Sequence, residues 1–158
     1  MTAKELMKQC EAEEKELKFR EFSSETALAI GMALIEEAKK RDNKICIDIA
    51  IAGRRLFHYS SDGNAVSNDI MIERKKKTAM HTGHSSLWAH YMLENCDMNI
   101  KEKWALEPSE YAQVGGAFPI RLENCQTVIG TITCSGFNHE QDHSIICLLY
   151  TSDAADDK

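Results

Sequence analysis

Ile45, Ile47, Ile49 and Ile51 alternate with Cys46, Asp48 and Ala50, which is the period of a strand with one strongly apolar face. Gly53 turns the chain, and Arg54 to Tyr59 reads as the returning partner strand, closed by Ser60-Ser61-Asp62-Gly63. A second alternation runs through Phe118, Ile120 and Leu122, and a third through Val128, Gly130, Ile132 and Cys134. The short polar connection Glu123-Asn124-Cys125-Gln126 makes these two a hairpin. Helical spacing appears elsewhere. Thr2 to Leu17 carries a sparse stripe of Leu6, Cys10 and Leu17, and a short extended piece, Lys18 to Phe22, follows. Ser23 or Ser24 caps a helix with Leu28, Gly31, Met32, Ile35 and Ala38 on one face. Further helices are expected over Ser67–Met80 and Ser85–Glu94, the latter pairing Leu87 with Tyr91 and Trp88 with Met92. Met98 to Gln113 reads as irregular around Pro108. Helices bracketing antiparallel strands define an α+β class, with a sheet of about five strands in one domain.

The 158-residue chain is long enough to bury a core, and its 28% charged residues suit a water-facing globule. A net charge of −6 argues against nucleic acid as a partner. The basic run Arg74-Lys75-Lys76-Lys77 spreads around a helix instead of forming one patch. The six cysteines form no Cys-x-x-Cys pair, and no secretion signal or membrane-length apolar run is visible. Reduced thiols in a cytoplasmic protein are therefore expected, with Cys46 and Cys134 as small core residues.

Gly115-Gly116-Ala117-Phe118-Pro119-Ile120, then Ile129-Gly130-Thr131-Ile132 running on to Ser135-Gly136, then Asp142-His143, resembles the haem-degrading-domain family of GlcG-like and HbpS-like proteins. Ile72-Glu73-Arg74-Lys75 and Gly83-His84-Ser85-Ser86 extend the resemblance toward the cytosolic branch of that family. It spans roughly Ala3 to Ile146, so residues 1–146 are taken as the domain. The resemblance implies a profilin-like, GlcG/HbpS-like architecture, a homo-oligomer, and haem or another tetrapyrrole as ligand. The tail, residues 147–158, instead resembles a translated sequencing-adapter fragment where the family has a longer amphipathic helix. That tail is expected to be non-native or disordered.

The ligand-binding candidates are Arg74, Lys75, Ser85, Gly116, Asp142 and His143. Arg74 and Lys75 suit carboxylates such as haem propionates or a small anionic metabolite. Arg74 falls one turn from Ile70, on a face expected to be packed, whereas Lys76 falls off it. Ser85 and the amides of its helix start complement an anion. Gly116 permits close approach of backbone or ligand. His143 is the candidate polar or axial ligand, with Asp142 orienting its ring. Trp88, Tyr91 and Met92 either wall a flat apolar ligand or form core. His139-Glu140-Gln141-Asp142-His143 matches the zinc-peptidase spacing, but no third ligand follows it, so no metal is assigned. His81 with His84 is a weaker metal pair, and His58 and His90 read as structural. A non-catalytic oligomeric scaffold is the rival to the ligand-binding reading, and a zinc hydrolase stands behind both.

Overall fold

The computed structural model describes residues 1–156, with side chains as far as Leu149. The elements are α1 (Ala3–Glu16), α2 (Ser24–Lys40), β1 (Cys46–Ile51), β2 (Arg54–Ser60), α3 (Val66–Thr82), α4 (Ser86–Asn95), α5 (Ile100–Trp104), β3 (Ala117–Leu122), β4 (Cys125–Ser135) and α6 (His139–Asp156). The sheet is antiparallel and four-stranded, in the order β2-β1-β4-β3. Among the described residues the sheet has four strands, against about five expected. The extended piece after α1 contributes one parallel bridge, Phe19 to Leu122, because the chain turns into α2 at the Ser23 cap.

The isoleucine alternation sets the layers. Ile47 and Ile49 point to one face, where they meet Ile30 and Leu34 of α2, Phe118 and Ile120 of β3, Ile132 and Cys134 of β4, and Ile145 and Ile146 of α6. Gly31 allows this packing, since a side chain there would collide with the Phe57 ring of β2. The other face of the sheet is covered by α3, which packs on β4, β3 and β1. Cys46 is fully buried in the core, as expected, but on that side and outside the main apolar cluster; its thiol donates to Asp69 Oδ1 at 3.2 Å. Cys134 is in the core as expected.

α1 packs on α4 in a separate apolar cluster of Cys10, Leu87, Trp88, Ala89 and Tyr91. The stripe Trp88–Tyr91 is thus largely covered by the chain's own first helix. Local signals start these helices. Thr2 forms a capping box with Glu5, Ser23 with Thr26, and Asn99 with Glu102. The last of these begins α5 inside the segment read as irregular. α6 continues to Asp156, and the expectation for the tail falls chiefly on side chains outside the described residues.

Gly116 has φ +133°, and a Cβ there would lie 2.5 Å from both Cys134 O and Lys75 Nζ. Gly116→Val is expected to lower unfolding free energy by about 1–3 kcal/mol in chemical denaturation, from backbone strain alone. An unchanged midpoint would show that the position carries no such constraint.

Candidate functional site

The glycine at 116 clears a path for a buried cation. Lys75 leaves α3 and donates to Cys134 O at 3.0 Å and to Asp142 Oδ2 at 3.1 Å. Both side chains are almost fully buried, at 2% and 3% exposure. Asp142 also accepts from the Phe137 amide at 2.9 Å. Burial pushes its carboxyl upward, and Lys75 with the nearby amides pulls it back. Three of the six sequence-derived candidates, Lys75, Gly116 and Asp142, therefore meet at one point. They satisfy one another there, instead of facing a cleft.

His143, one residue on, turns the other way. Its Nε2 lies 2.8 Å from Glu13 Oε1 of α1 and 3.5 Å from Cys147 Sγ, and its buried Nδ1 has no partner. Cys10, Glu13 and His143 bring their donor atoms within 4.8 Å of one another. They border a cleft of about 290 Å³ between α1, α4 and α6, walled by Leu6, Leu87 and Tyr91 and rimmed by Glu140. Among the described residues no Lys or Arg lines it. Burial, then Glu13 and Glu14, pushes the Cys10 thiol up to about 12. The thiol is protonated at neutral pH and is not an activated nucleophile.

Ser85 caps α4 by accepting from the Trp88 amide at 3.1 Å. The anion expected at this helix start is internal. Glu14, buried, accepts from the Ser85 amide at 3.1 Å and lies 2.9 Å from His84 Nδ1 and 3.4 Å from Arg121 Nη1. Arg121 also donates to Gly83 O, and the His84 ring stacks on Trp88 at 3.9 Å. Beside this group a second cleft of about 390 Å³ is lined by Lys15, Lys18, His84, Arg121 and Glu11. Sequence reading missed it because its cations come from three separate segments.

Arg74 donates to Pro108 O at 2.7 Å and so anchors the loop after α5. Ile70, one turn earlier, is 57% exposed, whereas Arg74 itself is half-buried with its Nε closed to water. Lys76, placed off that face, lies 2.9 Å from Oδ1 of the fully buried Asp48. The two imidazoles of the His-Glu-x-x-His run part company. His139 Nδ1 accepts from the Gly115 amide at 3.1 Å, while His143 faces Glu13. His81 meets the edge of Tyr111, away from the partners of His84.

The four-stranded antiparallel sheet with helices on both faces is a fold shared with solved HbpS structures. A family model described as haem degrading protein HbpS-like matches residues 22–147, and the chain belongs to that family. A UPF0303 protein of Edwardsiella ictaluri is 34% identical over 146 residues, covering 92% of each chain. Among solved structures, that of the Ybr137w protein is 29% identical, with a TM-score of 0.88 over 96% of this chain and 90% of that one. A PduOC–haem complex shares the fold at 16% identity, with a TM-score of 0.67 over 83% of this chain and 94% of that one. No helix among the described residues is long and apolar enough to cross a membrane.

Burial and the neighbouring His90 push the His139 imidazole below its ordinary value of 6.5, with Lys75 and His143 adding to this and Glu140 opposing it. The unfolded chain thus binds the proton more readily, so stability falls as pH drops through and below 6.5. The denaturation midpoint should be lower at pH 5.5 than at 7.5, and His139→Asn, which keeps an acceptor, should flatten that difference. An equal pH response in the variant would show that His139 is not the group involved.

Proposed function

We propose that this protein is an oligomeric cytoplasmic module that binds haem or another tetrapyrrole in the cleft between α1, α4 and α6. One observation carries the reading: His143, buried, meets Cys10 and Glu13 at the edge of a cleft with the apolar walls Leu6, Leu87 and Tyr91. An imidazole beside an apolar slot suits axial ligation of a flat macrocycle. Glu13 and Glu140 in the lining would repel carboxylates, so the ligand would enter apolar edge first and leave its own carboxylates toward water. Membership of the HbpS-like family and the fold shared with a haem complex support this reading. Bound haem would supply iron chemistry; the chain's own part is to present His143 and exclude water along the slot.

A small anionic metabolite is the second reading, favoured by the cleft that gathers Lys15, Lys18 and Arg121. Assembly is supported by apolar side chains left on outer helix faces, Leu28 and Met32 of α2 and Val66 and Ile70 of α3, each pair one turn apart. A scaffold without a ligand would use the same surfaces.

Titration with haemin, followed by difference spectroscopy, separates these readings. A saturable Soret shift that is lost in His143→Ala is expected. Absorbance changes that survive every histidine substitution would contradict the cleft assignment and favour the scaffold.

A further inference from the structure

The α3 side of the sheet carries a polar cluster that the ligand-binding reading does not use. Its origin is the strand period. The isoleucines of β1 take the core face, so Cys46 and Asp48 share the opposite one. In the β1–β2 register, Asp48 stands opposite His58 and Cys46 opposite Ser60, because Leu56 is an extra residue on β2 between the paired Arg55 and Phe57. Asp69, in the first half of α3, comes down over this pair. The result is a thiol, an imidazole and a carboxylate whose donor atoms lie within 4.8 Å of one another.

We propose that Cys46, His58 and Asp69 bind one divalent transition-metal ion, with Zn²⁺ the best chemical match, and that Asp48 orients His58 for it. Sulfur, nitrogen and oxygen donors in a set of three, with one position left over, are the ligand types of an open zinc site. The second line of support is the far side of the imidazole. His58 turns Nε2 toward Asp69 Oδ1 at 3.5 Å and Nδ1 toward Asp48 Oδ2 at 3.6 Å. A carboxylate on the ring nitrogen that does not bind the metal fixes the tautomer and raises the basicity of the one that does. Asp48 is itself held: Arg55 Nε donates to it at 2.7 Å and Lys76 sits at 2.9 Å, and Arg55 reaches on to Glu73 at 2.9 Å. These two cations face three carboxylates, Asp48, Asp69 and Glu73, so the cluster is net negative by one charge. A thiolate would make the excess two, which a divalent ion cancels. His58 and Asp69 are about one-third exposed, so the remaining coordination position opens to water. Metal would replace the proton that Cys46 now gives to Asp69 and would staple α3 to the β1–β2 hairpin.

The test uses the full chain stripped with chelator and titrated with Co²⁺, then with Zn²⁺. One equivalent of Co²⁺ should give thiolate-to-cobalt charge-transfer absorption, removed by Zn²⁺, and Zn²⁺ should raise the melting temperature. Cys46→Ser should abolish the band and the thermal shift. Asp48→Asn retains all three donors and should lower Zn²⁺ affinity by about 10–100-fold. Cys10→Ser and His143→Ala should keep the band, with far-UV circular dichroism confirming that each variant folds. A wild-type chain without the band, or a band that survives Cys46→Ser, would overturn the assignment. A band lost in Cys10→Ser or His143→Ala, or one that needs both His139 and His143, would overturn it equally by placing the metal elsewhere.

Discussion

Lys75 brings a positive charge into a space nearly closed to water, and Asp142 meets it there at 3.1 Å. The contact joins α3 on one face of the sheet to α6 on the other, passing the start of β3 where Gly116 has no side chain. Cys134 O, near the end of β4, takes a second ammonium hydrogen. Four elements thus depend on one pair. Desolvating two charges costs several kcal/mol per ion, and only their mutual attraction with well-placed hydrogen bonds offsets it. The pair is a strong constraint on arrangement more than a large source of net stability. Removing one partner leaves the other buried and unanswered.

That constraint also decides where ligands can go. With Asp142 held inward, the next residue, His143, is turned outward to α1. The same principle recurs at Glu14, which supplies the anion that the Ser85 helix start and Arg121 would otherwise seek from solvent. Two internal carboxylates occupy two places that look, by residue type, like anion sites. Two of the clefts among the described residues flank α1: one beside His143, with apolar walls and a polar rim, and one beside Arg121 that gathers Lys15 and Lys18. α1 precedes the residues matched to the family, yet it walls both clefts.

The layers were legible because the isoleucine alternation and the glycine-rich hairpin are local patterns. Helix starts at Thr2, Ser23 and Ser85 were legible for the same reason, since an N-cap spans only a few residues. Resemblance located Lys75, Gly116, Asp142 and His143, and the structure gathers the first three into one contact and sets His143 beside it. What each does was not legible. Nothing near position 75 says that its charge is answered by position 142, and nothing in the Arg74-Lys75-Lys76 run says which side chain turns inward. Helix phase and the position of the sheet decide that Lys75 is buried, that Arg74 pins a loop and that Lys76 answers Asp48. The polar set Cys46, Asp48 and His58 was visible as residues between the isoleucines and on the returning strand. Its coherence depends on the hairpin register, which a single extra residue at Leu56 shifts.

The claim that the buried pair organises the fold is tested most directly by a double-mutant cycle. Unfolding free energies of Lys75→Met, Asp142→Leu and the double variant would be measured by chemical denaturation. Each single change is expected to cost about 3–5 kcal/mol, because it strands a buried charge. The double change should cost clearly less than the sum of the two, by more than about 1 kcal/mol. Single losses below about 1 kcal/mol that simply add would contradict the account.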